Sequence, residues 1–561
     1  MKTIKDINLF KNDFLESNLS LSDEELQIDK QISTKFMKQI YRNIIENKNL
    51  LVIGDYDVDG FFSGIELSSY LKLLEKRVKG NLNTKIDTFY NKRQYGYEIP
   101  KKIFEEFSNK YDLIIFLDTG ATYSYLDKNT KNVLVIDHHP NKNVDLEYIY
   151  NPNKNNSIST STGRIVYEMI EDFENNMRNF FGKDKIKSHD LMKVLKIYAG
   201  ITLCSDMAKM SYNNKIFLEQ SLKLMSDNKK HLTFLKNIPS RNITSMDISF
   251  NLINEINAYS RMNKDLKDLE DLYKYDMDNK NLLSPLSTKE QISILNTLKS
   301  NNDTKKEMMS RLEQNIITQL KDINLEKQDV LAIKLENPYV GLNGLLSQNI
   351  LGMHLKSNIV ISFDKERNEY VGSGRGNLVK ESLQKLVLDN PELNDSIAFG
   401  GHEMAVGLSI KEEAVDIFMD KYNSLKIENN KVNNFDIYRA NIKEFKQSIE
   451  DYSILSPTTL IDSKFYVLLE DYNVLNEKFI KKNNWLTTTL IDDTGILTIY
   501  FDDKIKDKLI NKEPIVLEIT NNQGTQFVKN IEFLKDHSID LVNENKIENQ
   551  EFENFIKYNF N

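Results

Sequence analysis

Three short apolar runs in the first quarter of the chain constrain its fold more than any other feature. These runs are LLVIGD at 50–55, LIIFLD at 113–118 and VLVID at 133–137, and segments with helical spacing separate them. Short runs rich in β-branched residues are typical of strands that are buried on both faces of a parallel sheet. Strands that alternate with helices predict an open α/β sheet. Each run ends in an acidic residue, and ligands gather at the carboxyl ends of such strands, so we expect the three carboxylates to converge.

The length of the chain predicts several domains. Its 561 residues exceed what one hydrophobic core serves, so about two to four domains are expected. Changes in pattern predict a catalytic α/β domain with a helical lead-in over 1–280, a helical connector over 281–329, a smaller α/β domain over 330–428 and an OB-like β-barrel with a tail over 429–561. The connector could span between domains; the alternative is an ordinary amphipathic surface helix with an interruption near 301–302.

Composition excludes several classes of protein. Hydrophobic residues make up 40% of the chain and charged residues 28%, which is typical of soluble globular domains. No run approaches about 18 apolar residues and the N-terminus is charged, so neither a membrane span nor a secretory signal is expected. Cys204 is the single cysteine, which excludes a disulfide framework and favours a reducing, cytoplasmic location. The net charge of −9 is unusual for a nucleic-acid-binding protein, although metal-binding carboxylates add to the acidic count.

The strongest chemical signal is GDYDVDG, in which Asp55, Asp57 and Asp59 alternate with other residues after a strand. Three carboxylates this close repel one another unless a cation neutralises them. Mg²⁺ and Mn²⁺ both favour oxygen ligands. Two other interpretations stay open: a solvated acidic loop, or an EF-hand loop with Glu66 at its twelfth position. An EF-hand would need a helix before the loop, whereas here a strand precedes it.

Three further segments carry candidate ligands. IDHHP contains Asp137, His138 and His139, LDTG contains Asp118, and LCSDM contains Asp206. Borderline metals such as Mn²⁺ accept mixed imidazole and carboxylate ligands. Taken singly, Asp118 and Asp206 are weak candidates, because an aspartate at a strand end is often only a turn former.

In this order, D-x-D-x-D-G, D-T-G, D-H-H and a later aspartate resemble the DHH phosphoesterase family. The resemblance implies hydrolysis of phosphodiesters or phosphoanhydrides with two Mn²⁺ or Mg²⁺ ions. GSGRG at 372–376 and FGGHEMAVG at 399–407 resemble the second domain that accompanies this family, which carries G-S-x-R and G-G-H patterns. The match in two separate parts of the chain makes the resemblance specific.

Other segments resemble, within this family, the exonucleases that degrade single-stranded DNA. NKRQYGY at 91–97 resembles an N-R-x-x-x-G-Y pattern, INAYSRM at 256–262 resembles N-A-x-G-R-[LM], and Asn151-Pro152 follows the histidine pair at a similar distance. The connector and the terminal barrel fit the same layout.

The chain departs from the family patterns at four places, none of which removes an expected metal ligand. The departures are Thr119 for Asn, Lys209 for Pro, Ser260 for Gly, and Glu336-Asn337 where a W-H pair is expected. They therefore bear on substrate length or polarity rather than on hydrolysis.

The resemblance also implies roles for the candidate metal ligands. Two ions about 3.5–4 Å apart would clamp the attacking and leaving oxygens of an in-line displacement. One ion would be held by Asp57 and Asp118, and the other by Asp59, Asp118, His138 and Asp206. Asp55 would complete the first site or orient its water ligands. His139 would face the scissile phosphate, with a hydrogen-bonding role behind the ligands as the alternative. His139, Asp57 and Asp118 are the expected catalytic residues.

Substrate contacts follow from the same resemblance, since arginine can bind two phosphate oxygens at once. A terminal 5′-phosphate would be held by Arg93, Ser373, Gly374 and Arg375. Asn257 and Arg261 would contact the next phosphates, and Gly401 and His402 the nucleotide at the scissile bond. For Arg93 and Arg261 a structural salt bridge is nearly as well supported. The aromatic residues of the terminal barrel could stack on bases, but aromatics at that density belong more often to a core.

Together these features predict a 5′-to-3′ exonuclease that degrades single-stranded DNA to mononucleotides in repair, recombination or replication. We expect a cytoplasmic monomer whose partners include a single-strand-binding protein or a helicase, with RNA left open as a substrate. One alternative is a DHH phosphodiesterase for short oligonucleotides or cyclic dinucleotides, although the chain extends well past GGHEMAVG, which favours a polymer. The other is an inactive nucleic-acid-binding scaffold of the same fold, against which the intact aspartates and histidines argue.

Overall fold

The structure is a computed structural model. It describes residues 2–7, 26–79, 84–96, 98–139, 146–152, 158–181, 190–206, 208, 211–236, 238, 240–274, 285–321, 328–354, 356–402, 404–427, 435–452, 464–475, 480–482, 485–501, 509–512, 514–520, 528–533 and 540–541. Tyr97 and Lys209 lie outside these residues, as does the side chain of His402. Within the described ranges, no helix combines the length and the apolar character that crossing a membrane requires.

The helices and strands follow one another along the chain in four groups. The first group comprises β1 (Lys2–Asp6), α1 (Lys30–Ile45), β2 (Leu50–Gly54), α2 (Val58–Lys79), β3 (Ile86–Tyr90), α3 (Lys101–Lys110), β4 (Leu113–Leu117), β5 (Val133–Ile136), β6 (Ile149–Tyr150), α4 (Thr162–Phe181), α5 (Asp190–Ser205), α6 (Tyr212–Asn228), α7 (Ser245–Ile248), α8 (Asn254–Arg261) and α9 (Glu270–Tyr273). A single long helix, α10 (Thr288–Leu320), forms the second. The third comprises β7 (Val330–Leu335), α11 (Asn343–His354), β8 (Ser357–Asp364), β9 (Glu369–Arg375), α12 (Val379–Asp389), β10 (Ile397–His402), β11 (Ala405–Lys411) and α13 (Val415–Asn423). The last comprises β12 (Phe435–Arg439), α14 (Ile442–Tyr452), β13 (Lys464–Leu469), β14 (Asn473–Val474), β15 (Ile480–Lys482), β16 (Trp485–Ile491), β17 (Ile496–Phe501), β18 (Ile515–Thr520), β19 (Val528–Phe533) and β20 (Asp540–Leu541).

The first sheet is parallel throughout, with the strand order β3–β2–β4–β5–β6. Strand β2 stabilises this sheet, because the side chains on both faces of the strand are buried. Leu50 and Val52 pack into the cluster formed with α1, α2 and α4 to α6, whereas Leu51 and Ile53 pack into the cluster on the side of α3. Full burial of each such side chain contributes about 1.5–3 kcal/mol. The α/β fold with a parallel sheet, predicted from the apolar runs, is confirmed.

Helix α10 lies between this region and the next in the chain, and it runs from Thr288 to Leu320 without a break. Ser287 caps its N-terminus in a capping box with Glu290, and the buried positions recur at helical spacing along its length: Gln291, Leu295, Leu298, Asn302, Met309, Leu312, Ile316 and Leu320. The interruption near 301–302 that the alternative included is not observed, because Asn302 continues the buried stripe instead of ending it.

The second sheet is mixed, with the order β10–β11–β9–β8–β7, and only β7 and β8 run parallel. The packing of strand β9 explains why the GSGRG motif has glycine at positions 372 and 374. A side chain at Gly372 would collide with Leu408 and Ile361, and one at Gly374 would collide with Val379. These glycines therefore face the core, and the alternate residues of β9 face the opposite side of the sheet.

The described strands of the last third belong to two further sheets, of which the first is mixed and the second is antiparallel. One has the order β19–β18–β13–β12–β1–β20, with the N-terminal strand β1 inserted between β12 and β20. The other pairs β16 with β14, β15 and β17. A closed OB-like barrel is not confirmed among the described strands. The domain boundaries at 280, 329 and 428 stay predictions.

Candidate metal and phosphate site

The carboxyl ends of three neighbouring strands bring the predicted aspartates together. Gly54 at the end of β2 pairs with Leu117 at the end of β4, which in turn pairs with Ile136 at the end of β5. The acidic residues that follow these strands, Asp55, Asp118 and Asp137, therefore meet at one edge of the sheet. The convergence that we predicted from the strand ends is observed.

The GDYDVDG loop turns tightly from β2 into α2. Asp57 accepts hydrogen bonds through Oδ1 from the main-chain N–H groups of Asp59, at 3.0 Å, and Gly60, at 3.2 Å, and so caps the helix. A side chain at Gly54 would collide with Gly60, and one at Gly60 with Asp55, so both glycines are needed for the close approach of strand and helix.

Helix α4 holds two of the aspartates from behind. The main-chain N–H groups of Thr162 and Gly163 donate to the two carboxylate oxygens of Asp59 at 2.7 and 2.9 Å. The Thr162 hydroxyl donates to Oδ1 of Asp118 at 3.1 Å. Asp118 has a φ of 63°, a left-handed conformation that costs a non-glycine residue about 1–3 kcal/mol. These contacts fix carboxylates that would otherwise move apart.

His138 lies at the centre of the carboxylate group. Its Nε2 is 2.8 Å from Asp206 Oδ2, 3.3 Å from Asp118 Oδ1 and 3.7 Å from Asp59 Oδ2. Mixed imidazole and carboxylate donors at this spacing suit a divalent metal.

Within the described residues, three groups of side chains could each hold an ion, since their donor atoms lie within 4.8 Å of one another. The groups are Asp55, Asp57 and Asp118; Asp59, Asp118, His138 and Asp206; and Asp118, His138 and His139. Asp118 belongs to all three, which fits the bridging role that the family resemblance implies.

The electrostatics of this group favour a cation. Burial, and then repulsion from Asp57, raises the pKa of Asp55 to about 7. Burial and the neighbouring carboxylates also raise the pKa values of Asp59 and Asp118 well above their usual range. Burial alone would lower the pKa of His138, but Asp206 and Asp59 outweigh it and raise the value to about 9. A divalent cation would relieve the repulsion between the carboxylates, so the donor set fits the predicted metals.

Asp137, to which the motifs assigned no separate role, holds the histidine pair. Its Oδ1 accepts hydrogen bonds from the main-chain N–H groups of His138, at 2.7 Å, and His139, at 3.1 Å, and lies 2.8 Å from His139 Nδ1. The imidazole of His139 holds the pKa of buried Asp137 below its usual value, although burial alone would raise it. Asp137 in turn raises the pKa of His139 to about 10 against the effect of burial. Asn151 Nδ2 donates to the carbonyl of His139 at 2.7 Å. Asp137 directly precedes the histidine pair in the sequence, and this adjacency is the signal that could have identified it.

A cavity of about 300 Å³ opens beside the carboxylates. Asp55, Asp57 and His139 line part of its wall, and Arg93, Asn257 and Arg261 line another part. The cavity thus brings together three of the predicted substrate-binding residues and three of the predicted metal or catalytic residues.

The arginines of this cavity are held by polar contacts with neutral groups. Arg93 Nε donates to Ser260 Oγ at 3.1 Å, and its guanidinium lies 4.4 Å from the centre of the Tyr56 ring. Arg261 donates to the carbonyl of Gly341 at 2.7 Å. Burial, together with repulsion from Arg93 and Arg375, lowers the pKa of Arg261 to about 9. Among the described residues neither Arg93 nor Arg261 forms an ion pair, so the structural salt bridges considered for them are not observed.

The structure distinguishes Arg93 from its neighbour Lys92. In the strict register of N-R-x-x-x-G-Y, the arginine position is occupied by Lys92. Lys92 Nζ instead lies 3.2 Å from Asp265 Oδ2, whereas Arg93 lines the cavity. Asn91, which begins the motif, donates through Nδ2 to Asp55 Oδ1 at 3.1 Å. The cation that lines the cavity, Arg93, therefore stands one residue later than the arginine of the family pattern.

The second sheet supplies the other predicted contacts. Arg375 NH1 donates to Ser373 Oγ and to the carbonyl of Gly374, both at 2.8 Å, and both side chains lie against Gly344 of α11. Gly374 itself faces the core, so its lack of a side chain serves packing.

Gly401, with a φ of 134°, lies in the β10–β11 hairpin beside His402, whose side chain is outside the described residues. In this hairpin His402 pairs with Ala405, which pairs with Arg375 across β9. The G-G-H and G-S-x-R motifs therefore lie side by side in the sheet.

Two of the departures from the family patterns have local structural roles. Thr119 donates its hydroxyl hydrogen to the Tyr123 hydroxyl at 2.8 Å. Asn337 accepts a hydrogen bond from the main-chain N–H of Tyr339 at 3.0 Å and donates to its carbonyl at 2.8 Å, which stabilises the turn after β7. Neither residue removes a donor atom from the carboxylate group.

Comparison with known proteins agrees with the fold and with the family resemblance. Residues 49–201 match the model of the DHH family, N-terminal domain. The single-stranded-DNA-specific exonuclease RecJ of Dickeya dadantii (strain 3937) is 22% identical over 417 residues, which cover 70% of this chain and 69% of the relative. RecJ of Escherichia coli (strain K12) is 24% identical over 421 residues, again 70% and 69%. The crystal structure of RecJ in complex with Mn²⁺ from Thermus thermophilus matches with a TM-score of 0.63 at 13% identity, covering 92% of this chain and 74% of that one. The resemblance to the DHH family that the motifs indicated is confirmed.

Proposed function

We propose that this chain is a metal-dependent exonuclease that degrades single-stranded DNA from its 5′ end to mononucleotides by phosphodiester hydrolysis. The observation that carries the proposal is the shared cavity. Asp55, Asp57 and His139, which belong to groups suited to metal binding, line one part of it, and arginines suited to phosphate line another. Hydrolysis of a phosphodiester needs both. The charge that develops on the leaving oxygen must be stabilised, and the negatively charged phosphate must be held in place.

Two divalent cations, Mn²⁺ or Mg²⁺, would be held by the donor groups that share Asp118. Asp55 and Asp57 belong with one, and Asp59, His138 and Asp206 with the other. When bound, these ions supply Lewis-acid stabilisation of the charge that develops on the phosphate. The protein keeps the donor atoms in place through the Thr162 contacts to Asp59 and Asp118.

His139 lines the cavity wall and would act on the scissile phosphate from there. Its side chain is half exposed, and its Nδ1 lies 2.8 Å from Asp137, which leaves Nε2 for a phosphate oxygen. Because the pKa of His139 is raised to about 10, the ring is positively charged at neutral pH and would stabilise an anion.

The arginines would hold the 5′-terminal phosphate. Arg93 and Arg261 line the cavity, and Arg375 lies close enough to lower the pKa of Arg261. A phosphate would relieve the repulsion among these three guanidiniums and accept paired hydrogen bonds from them. Holding that end at a fixed distance from the carboxylates would make hydrolysis exonucleolytic.

The remaining predicted contacts complete the proposal. Asn257 would bind the next phosphate, Ser373 the terminal phosphate beside Arg375, and Gly401 and His402 the nucleotide at the scissile bond. The relatives whose names specify single-stranded DNA support the polymer substrate. Action in repair, recombination or replication, a cytoplasmic monomer, and a single-strand-binding protein or helicase as partner stay predictions.

Degradation of labelled single strands tests the proposal. The full chain is incubated with 5′-phosphorylated DNA labelled at its 3′ end, in Mn²⁺, in Mg²⁺ and with EDTA, and the products are separated by size. We expect metal-dependent release of mononucleotides while the 3′ label stays on a shortening strand, and no reaction with EDTA.

Other outcomes separate the alternatives. Cleavage of dinucleotides or cyclic dinucleotides alone would reject the polymer substrate. Absence of hydrolysis at every Mn²⁺ concentration, with single strands still bound, would favour an inactive scaffold. Equal degradation of RNA and DNA would remove the DNA specificity from the proposal and leave the reaction intact.

A further inference from the structure

The loop at 91–96, between β3 and α3, carries Arg93 into the cavity. Two contacts from the first domain hold the side chain of Arg93: the hydrogen bond from Nε to Ser260 Oγ, at 3.1 Å, and the stacking of its guanidinium over Tyr56, at 4.4 Å. Asn91 also holds the loop, since its Nδ2 donates to the carbonyl of Gly96 at 3.1 Å. The main chain of the loop also has a hydrogen bond of its own, from the N–H of Gly96 to the carbonyl of Arg93 at 3.2 Å.

That main chain is also held from the other domain. Arg367 lies in the turn between β8 and β9, and it donates from Nε to the carbonyl of Gln94 at 2.7 Å and from NH2 to the carbonyl of Arg93 at 3.1 Å. Gln94 adds a contact through its own side chain, whose Nε2 donates to Glu366 Oε1 at 2.9 Å. The turn of the second domain therefore holds two consecutive carbonyls of the loop.

Arg367 is itself fixed at its base. Buried Asp364 accepts hydrogen bonds through Oδ1 from the main-chain N–H groups of Glu366, at 2.9 Å, and Arg367, at 3.4 Å, and its Oδ2 lies 3.7 Å from Arg367 Nε. The guanidinium is thus held in place before it meets the loop, so it can act as a rigid support.

Gly96 leaves the space that this guanidinium fills. It has a φ of 82°, and a Cβ added there would lie 2.9 Å from Arg367 NH2. A second guanidinium crosses the same junction in the opposite direction, since Arg261 of the first domain donates to the carbonyl of Gly341 in the second. The two arginines together tie the domains on either side of Arg93.

We propose that Arg367 is a positioning residue for Arg93, which sets the distance between the terminal-phosphate site and the carboxylates by anchoring the main chain of the loop. The inference rests on the proposed function, because it takes Arg93 to be a phosphate contact. Lysine could not replace Arg367, since a single ammonium cannot reach two carbonyls with the fixed fork of a guanidinium.

Steady-state kinetics on matched DNA ends tests the inference. Arg367→Ala and Arg367→Lys are compared with the full-length wild type on single strands that carry a 5′-phosphate or a 5′-hydroxyl. We expect KM for phosphorylated ends to rise about 10-fold in both variants, as for groups that orient a ligand from behind, and KM for hydroxyl ends to stay the same. Lys365→Ala is the matched control, because it removes an exposed cation from the same turn, and it should leave both KM values unchanged.

A double variant separates positioning from a direct contact. If Arg367 acts through Arg93, Arg93→Ala with Arg367→Ala should be no worse on phosphorylated ends than Arg93→Ala alone. Additive losses, or equal losses on phosphorylated and hydroxyl ends, would overturn the inference. Gly96→Ala, which pushes into Arg367 from the loop, should reproduce the selective rise in KM.

Hydrogen exchange of the full chain distinguishes failure of this inference from failure of the proposed function. Arg367→Ala should speed exchange in the segment 91–96 while the sheet strands β2 and β4 keep wild-type protection; unchanged exchange in that segment would overturn the anchoring. If the wild type shows no preference for phosphorylated ends while exchange responds as expected, the assignment of Arg93 to phosphate is wrong and the anchor itself stands. General loss of protection in Arg367→Ala would instead assign Arg367 to folding and overturn positioning.

Discussion

The cavity has an acidic wall, with Asp55 and Asp57, and a basic wall, with Arg93 and Arg261. The two walls arise from the fold in different ways. The acidic wall is built where parallel strands end, so that residues far apart in sequence, such as Asp55 and Asp118, meet because their strands are neighbours. The basic wall draws on two domains: Arg93 and Arg261 of the first domain line the cavity, and Arg375, on a strand of the mixed sheet, lies close enough to lower the pKa of Arg261. Strand-end sites need only the order of the strands, whereas the basic wall also needs the second domain to approach the first at the correct distance.

The electrostatics of the two walls are opposite and complementary. On the acidic side, burial and mutual repulsion raise the pKa of Asp59 and Asp118. On the basic side, burial and repulsion lower the pKa of Arg261. Each wall is therefore strained by like charge, and a metal–phosphate complex between them would relieve both. Changing one wall at a time should separate hydrolysis from end recognition.

Removing the shared ligand should have the largest effect. Asp118→Asn keeps the size of the side chain but removes the charge common to all three donor groups. Because metal stabilisation supplies several kcal/mol, we expect hydrolysis to fall by at least about 10³-fold. Binding of single strands, followed by fluorescence anisotropy, should persist because the arginine wall is intact. Asp416→Asn, a change at an exposed surface carboxylate, is the control, and hydrolysis by Asp118→Asn at the wild-type rate would reject the metal assignment.

Changing the basic wall should affect end recognition more than hydrolysis. Arg375→Ala removes a guanidinium whose hydrogen bonds to a charged group are worth about 1.5–3 kcal/mol. We therefore expect kcat/KM on 5′-phosphorylated strands to fall about 10–100-fold, with a smaller loss on 5′-hydroxyl strands. Arg311→Ala, on the exposed side of α10, serves as the control for lost positive charge. Equal losses on both kinds of end would place the terminal phosphate elsewhere.

Metal affinity should depend on pH, because the acidic wall binds protons in competition with metal. Since the pKa of Asp55 is raised to about 7, this carboxylate is protonated below that pH, and a metal ion must displace its proton. The Mn²⁺ affinity should therefore rise with pH by up to about tenfold per pH unit for each proton displaced. Titration calorimetry at pH 6, 7 and 8 in buffers of different ionisation enthalpy measures the protons released. Asp55→Asn should flatten part of this dependence, and a pH-independent affinity in the wild type would contradict the expectation.

The same difference between the walls explains what the sequence could predict. The parallel sheet and the acidic cluster follow from apolar runs that end in aspartate, a local signal that survives without tertiary information. The contacts from Thr162 and Arg367 carry no such signal, since each depends on how a later segment packs against the loop it supports. Sequence spacing likewise could not show that Arg93 rather than Lys92 faces the cavity. The interruption considered for α10 does not occur, because the helical spacing of buried Leu298, Asn302 and Met309 outweighs the low helix propensity of two consecutive asparagines.

Ser260 offers the smallest and most selective change, because it stands where the family pattern has glycine. Its hydroxyl accepts the hydrogen bond from Arg93. The two positions that differ from the family patterns, Ser260 in place of glycine and the cavity arginine at 93 instead of 92, are therefore in direct contact. Loss of one such bond is worth about 0.5–1.5 kcal/mol, which predicts a rise of about 2–10-fold in KM for phosphorylated strands at unchanged kcat. Ser260→Ala and Ser260→Gly should share this effect, since both lack the hydroxyl. Only the glycine variant should also lower Tm, because glycine in the last turn of α8 destabilises the helix by up to about 1 kcal/mol relative to alanine. A change in KM confined to the glycine variant would mean that helix stability, and not the hydrogen bond to Arg93, is what Ser260 provides.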